Sequence, residues 1–134
     1  ISEDISELNS DFEDLIGSIL LYGMIESHVE SLSEILNKYY TTLYLLDIEN
    51  MGFLLKDFAD SLYDVDINNI NKDSVIEMIE FLYDDIIEYF NNIFTSNRIQ
   101  NIDYLIDSMR SSLYQIKIEL KIENIKEDDD IELF

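Results

Sequence analysis

Apolar side chains recur at alternating intervals of four and three residues along most of this 134-residue chain, and that spacing constrains the fold more than any other feature. Ile1, Ile5, Leu8, Phe12, Leu15, Ile19 and Tyr22 keep the rhythm without a miss. They mark one face of an amphipathic helix over roughly 3–22. The rhythm slips at Gly23 and resumes at Ile25, Val29, Leu32, Leu36, Tyr39, Leu43 and Leu46. A slip at a glycine predicts a kink or a hinge between two helices.

The stripe rotates around Asp47-Ile48-Glu49-Asn50, and a third helix over roughly 50–63 carries Met51, Leu54, Leu55, Phe58 and Leu62. Residues 64–73 are rich in Asn and Asp, whose side chains bond nearby backbone and favour turns. Ser74-Val75-Ile76-Glu77 fits a capping box, in which Ser and Glu satisfy the free amides of a helix start. The helix it predicts, roughly 75–94, is apolar around most of its circumference (Ile76, Ile79, Leu82, Tyr83, Ile86, Ile87, Phe90, Ile93, Phe94), which suits a central position. A break at Thr95-Ser96-Asn97 precedes a last stripe of Ile99, Ile102, Ile106, Met109, Leu113, Ile116 and Leu120. Residues 116–123 also alternate strictly, as a half-buried strand does. The helical reading is favoured to about 120, with an edge strand open to a second chain as the alternative. The expected architecture is all-α: a compact bundle of five to seven helices around a central apolar helix. A single domain over 1–126 is followed by an acidic tail over 127–134.

Composition narrows the function. The chain carries 30 Asp and Glu against 8 Lys and Arg, a net charge of −22. Phosphate binding needs Lys and Arg, so direct contact with nucleic acid or an anionic membrane is not expected. No cysteine is present, which removes disulfides and thiolate chemistry and suits a cytoplasmic setting. No apolar run is long enough to span a bilayer.

The acids form rows. Glu3, Glu7, Asp11 and Asp14 fall on one helix face, Glu26, Glu30 and Glu34 on the next, and Glu77, Glu80, Asp84 and Glu88 on the fourth. The first base in the chain is Lys38. A four-residue repeat rises about 6 Å, so two rows together approach the charge density of one DNA strand. Glu26, Glu30, Glu34, Glu77, Glu80, Asp84 and Glu88 are therefore the candidate partner-binding residues, beside the plainer reading that they keep the chain soluble.

Other constellations are weaker. Asp64-x-Asp66-x-Asn68 opens like a calcium loop, but Asn69 stands where Gly is needed, Asn71 where an apolar residue is needed, and Val75 where the bidentate Glu belongs. A turn is the expected outcome. His28 is the only histidine and is expected at the surface; a di-iron bundle would need Glu-x-x-His twice. Asp84 and Asp85 are adjacent and point apart on a helix. No phosphate loop or nucleophile motif appears. No catalytic residue, cofactor or metal is assigned, and no enzyme activity is expected.

Asp14-Leu15-Ile16-Gly17-Ser18-Ile19-Leu20-Leu21-Tyr22 resembles the first long helix of the poxvirus Bcl-2-like proteins. Leu54-Leu55-Lys56-Asp57-Phe58, the Asn-rich loop and Ser74-Val75-Ile76-Glu77-Met78-Ile79 are similar in pattern and order to later elements of that family. The resemblance implies helices around a central hydrophobic one. It implies a viral protein of the host cytoplasm that blocks apoptosis or innate immune signalling by binding a host protein, and a possible homodimer. No Arg opens the fourth helix to pair with a bound pro-apoptotic helix, so the resemblance favours a signalling inhibitor.

Two functional expectations stand together. One is a viral Bcl-2-like inhibitor. The other is an acidic mimic of nucleic acid, or an immunity or antitoxin-like protein, that occludes a basic site on a nuclease or restriction/defence complex. Both make the chain a non-enzymatic binder of another protein.

Overall fold

The first stripe folds as α1 (Ser2–Tyr22), with Ile5, Leu8, Phe12, Leu15 and Ile19 buried. This computed structural model describes residues 2–92 and 100–121. α1 stops at Gly23, whose φ of +82° lies where a residue with a Cβ is strained. Tyr22 ends up exposed, and Met24, two residues on, fills the core position instead. The expected break at the glycine is therefore a true turn between two helices.

α2 (Glu26–Leu45) returns antiparallel to α1. Near one end, Ser18 of α1 meets His28 of α2; toward the other, Asn9 meets Tyr39. α2 ends in a Schellman motif. Asp47 takes the left-handed conformation (φ +62°), the Ile48 amide donates to the Leu43 carbonyl at 2.9 Å, and the Asp47 amide donates to Tyr44 at 3.1 Å. α3 (Glu49–Ser61) then runs back along α2. The two lie close because α3 turns small residues toward α2. Gly52 sits against Tyr40 and Leu43, where an added Cβ would lie 3.4 Å from the Tyr40 ring, and buried Ala59 accepts a hydrogen bond from the Ser33 hydroxyl at 3.2 Å.

Two single 3-10 turns, Leu62–Asp64 and Ile67–Asn69, lead to α4 (Lys72–Asn91). The capping box at Ser74 does not form. Asn71 caps α4 instead, its side chain accepting from the Ser74 amide at 3.2 Å. Asn is as good an N-cap as Ser, and the earlier start puts Val75, Ile79, Leu82 and Ile86 on one buried face. α5 (Gln100–Glu119) completes the structure. The ambiguous alternating segment is helical through Glu119. Lys121, at φ +57°, closes the helix with its amide on the Ile118 carbonyl at 3.0 Å. Among the described residues there is no strand. Ile122 and Glu123 lie outside the described residues, as do the 95–97 break and the 127–134 tail.

Among the described residues, five α-helices form one all-α bundle. Each packs chiefly on two others, and together they close a ring in the order α1, α2, α3, α5, α4. The core lies inside. Tyr39 of α2 reaches across it, tilted against Phe12 of α1 and stacked on Phe90 of α4. α4 occupies a place in the ring between α1 and α5, with Glu77, Glu80, Phe81, Asp84 and Glu88 exposed on its outer face.

Candidate functional site

The ring order decides where the charge goes. α4, α1 and α2 are consecutive in the ring, and these are the three helices that carry the acidic rows. α1 bears six Asp and Glu and no base, α2 three and Lys38, and α4 six and Lys72. A helix buries its apolar stripe and turns the opposite face to water, so each row must point out of the ring. All seven sequence-derived candidates, Glu26, Glu30, Glu34, Glu77, Glu80, Asp84 and Glu88, are exposed. The α2 and α4 rows do not meet directly; α1 lies between them and supplies Glu7, Asp11, Glu13 and Asp14, also exposed. Where two of these helices pack, acids from both can act on one side chain.

The α1–α4 seam shows this coupling. Tyr83 of α4 packs edge-on against Phe12 of α1, with ring centroids 5.3 Å apart. Its hydroxyl is pushed above the usual tyrosine value first by burial, then by the negative charges of Glu13 on α1 and Asp84 on α4. One side chain thus senses acids from two helices. Asp85 behaves differently from its neighbour. It turns inward toward α5, accepts from the Ser112 hydroxyl at 3.2 Å, and is raised by desolvation, which the Ser112 bond partly offsets and Asp84 augments.

Among the described residues, no base forms an ion pair with this face. The ion pairs among the described residues are Lys56–Asp60 on α3, Arg110–Asp107 on α5, and Lys117 of α5 to Asp57 of α3 at 2.7 Å. All three use acids of α3 and α5, on the other arc of the ring. On the acidic arc Lys38 lines a shallow depression with Asp4 and Glu7 at the α1–α2 seam. The described residues are therefore polarised: rows of exposed carboxylates in no described ion pair on α4, α1 and α2, and mixed charge on α3 and α5.

His28 corrects an expectation. It is 7% exposed and belongs to the core, not the surface. Its Nδ1–H donates to the Gly23 carbonyl at 2.9 Å, and Nε2 is hydrogen-bonded to the Ser18 hydroxyl at 2.9 Å. Both nitrogens fasten the α1–α2 turn. The Asp64-x-Asp66-x-Asn68 segment makes the expected turn: Asp66 Oδ1 accepts from the Asn68 amide at 3.1 Å.

Sequence reasoning missed a cleft of about 240 Å3 between the start of α2 and the turns that follow α3. Glu26, Glu30 and Asp66 line it together with Val65, Ile67 and Tyr63, a residue 84% exposed. The signal for it was long-range, since residues some 35 positions apart in sequence build its two sides. No helix among the described residues is long and apolar enough to cross a membrane. Comparison with protein families, with curated proteins and with solved structures gave no match to this chain.

Proposed function

We propose that this protein is a non-enzymatic inhibitor that binds another protein, laying its α4–α1–α2 face over a basic surface that would otherwise hold nucleic acid. The observation that carries this reading is the polarity of the ring. The three consecutive helices carry fifteen Asp and Glu, of which Asp85 turns toward α5, against two lysines, while Lys56, Arg110 and Lys117 sit in ion pairs on the opposite arc. Such a face steers a basic partner into contact and then excludes its other ligands. The rigid, helical presentation of the rows keeps their spacing fixed without any ordering on binding.

The Bcl-2-like resemblance implies the same act, inhibition of a host protein by binding, through apolar contacts in place of charge. Salt separates the two. Proteins captured by the immobilised chain are eluted at about 50 and 200 mM salt, where an interface of several ion contacts loses orders of magnitude in affinity. The expected result is capture of basic proteins that release at the higher salt and are lost when Glu26, Glu30 and Glu34 become Gln together with Glu77, Glu80 and Glu88. Capture that ignores both salt and these substitutions overturns the charge-docking reading and leaves the apolar one.

A further inference from the structure

We infer that the cleft between the start of α2 and the turns after α3 is the seat of one arginine side chain of the basic partner. This deepens the proposed function, on which it rests, by naming the anchor point on a surface otherwise read only by charge. At about 240 Å3 the cleft is smaller than the roughly 300–1,000 Å3 of sites for drug-sized ligands, so it suits a single side chain. Its floor is apolar: Leu62 and Val29 are buried, and Val65 and Ile67 are half-buried beside them. Its rim is acidic, with Glu26, Glu30 and Asp66 and no Lys or Arg. Tyr63 stands at the edge as a largely exposed residue, an aromatic side chain at the mouth of a negatively charged cleft.

Each of these features matches one part of arginine. The apolar floor takes the three-carbon stem. The carboxylates take the planar fork of donors, and the Tyr63 ring takes the guanidinium face. Lysine, a compact and strongly hydrated charge, gains less from the ring and cannot span separated carboxylates. A metal ion is a poorer match, because no three Asp, Glu or His among the described residues converge closely enough to hold one. The frame is fixed before binding. Ser33 on α2 is hydrogen-bonded to Ala59 of α3, the Val65 amide donates to the Leu62 carbonyl at 3.3 Å, and Asp66 Oδ1 accepts from the Asn68 amide at 3.1 Å. Glu26 and Glu30 make no ion pair among the described residues.

The test uses nona-arginine and nona-lysine as probes of equal charge, titrated into the isotopically labelled chain at low and physiological salt. Both peptides are expected to bind the acidic arc, with nona-arginine tighter by roughly three- to tenfold from its stacking and bidentate contacts. The backbone amides of Val29, Glu30, Tyr63 and Ile67 should shift most strongly with nona-arginine. Tyr63→Ala, at an exposed position, should narrow the gap between the peptides by weakening nona-arginine more than nona-lysine. Glu30→Gln should act in the same direction. Binding of both peptides with a gap that survives Tyr63→Ala, or with shifts no greater at the cleft than elsewhere, overturns the arginine seat and leaves the acidic docking face intact. Failure of both peptides to bind at low salt overturns the docking face and the seat together.

Discussion

Tyr39 of α2 and Phe90 of α4 stack with ring centroids 5.6 Å apart and planes at 22°, joining two helices that do not neighbour each other in the ring. The same tyrosine donates its hydroxyl to Asn9 Oδ1 of α1 at 2.6 Å. One fully buried side chain therefore ties together the three helices that carry the acidic face. Burial, aided by Tyr83 and the charge of Asp11, pushes its hydroxyl far above the usual tyrosine range.

Truncating this tie should be costly. Tyr39→Ala is expected to lose about 3–5 kcal/mol, the usual cost of emptying an aromatic site in a core. Tyr39→Phe should lose about 1 kcal/mol, for the hydrogen bond alone. Tyr89 provides the contrast. Its hydroxyl is buried with no hydrogen-bond partner among the described residues, and burial pushes it up to about 12. Tyr89→Phe removes an unpaired polar group and should leave stability unchanged or raise it. Urea denaturation midpoints of the three variants check the order; a Tyr89→Phe variant less stable than Tyr39→Phe contradicts it.

Gly17 in α1 and Gly23 just after it predict opposite signs. Gly17 lies mid-helix on the exposed face, and an added Cβ would meet nothing within 4 Å. Gly17→Ala should stabilise by about 0.5–1 kcal/mol through helix propensity and a less flexible unfolded chain. Gly23 has equally open space, but its φ is +82°. Gly23→Ala should destabilise by about 1 kcal/mol from backbone strain alone. Thermal melts of the two variants should bracket the parent.

Helix positions were legible in the sequence because each stripe is local: four of the five helices begin and end within a few residues of where the spacing places them. The start of α4 was misjudged because Asn71 and Ser74 are both competent caps, and burial of Val75 decides between them. His28 was misjudged for a similar reason. Its neighbours Glu26 and Glu30 are exposed, but the ring nitrogens find Ser18 and Gly23 across a turn whose geometry depends on the positive φ of Gly23. The exposure of each acidic row followed from helical periodicity. Their assembly into one face did not, because it depends on the ring order, in which α4 lies beside α1 and not beside α3.

Asp85 gives a pH prediction with a definite sign. Desolvation raises its carboxyl above the ordinary value of 3.8, so the folded state holds the proton more tightly than the unfolded chain. Stability then falls as pH rises from 3.8 through the raised value, and at neutral pH the ionised group is a net burden. Asp85→Asn keeps an acceptor for the Ser112 hydroxyl and removes the charge. It should raise the melting temperature at pH 7, and the gain should vanish below pH 3.8, where both forms are neutral. A gain that persists unchanged at acidic pH would point to packing instead of ionisation.

The acidic arc should also weaken the fold that displays it. Glu26, Glu30 and Glu34 stand at successive i,i+4 positions on α2, as do Glu80, Asp84 and Glu88 on α4, and like charges so spaced repel. No described base pairs with them. The repulsion is screened when the Debye length shrinks from about 30 Å at 0.01 M salt to about 8 Å at 0.15 M. The melting temperature of the isolated chain should therefore rise with sodium chloride over this range. Replacing Glu80 and Glu88 with Gln and Asp84 with Asn should raise it at low salt and make it less salt-dependent, while weakening binding to a basic partner. Salt thus acts in opposite directions on the two properties, stabilising the free domain and loosening its complex. A melting temperature that falls with added salt would mean that the carboxylates on these three helices are held by attractive pairs, and the unneutralised face would not exist.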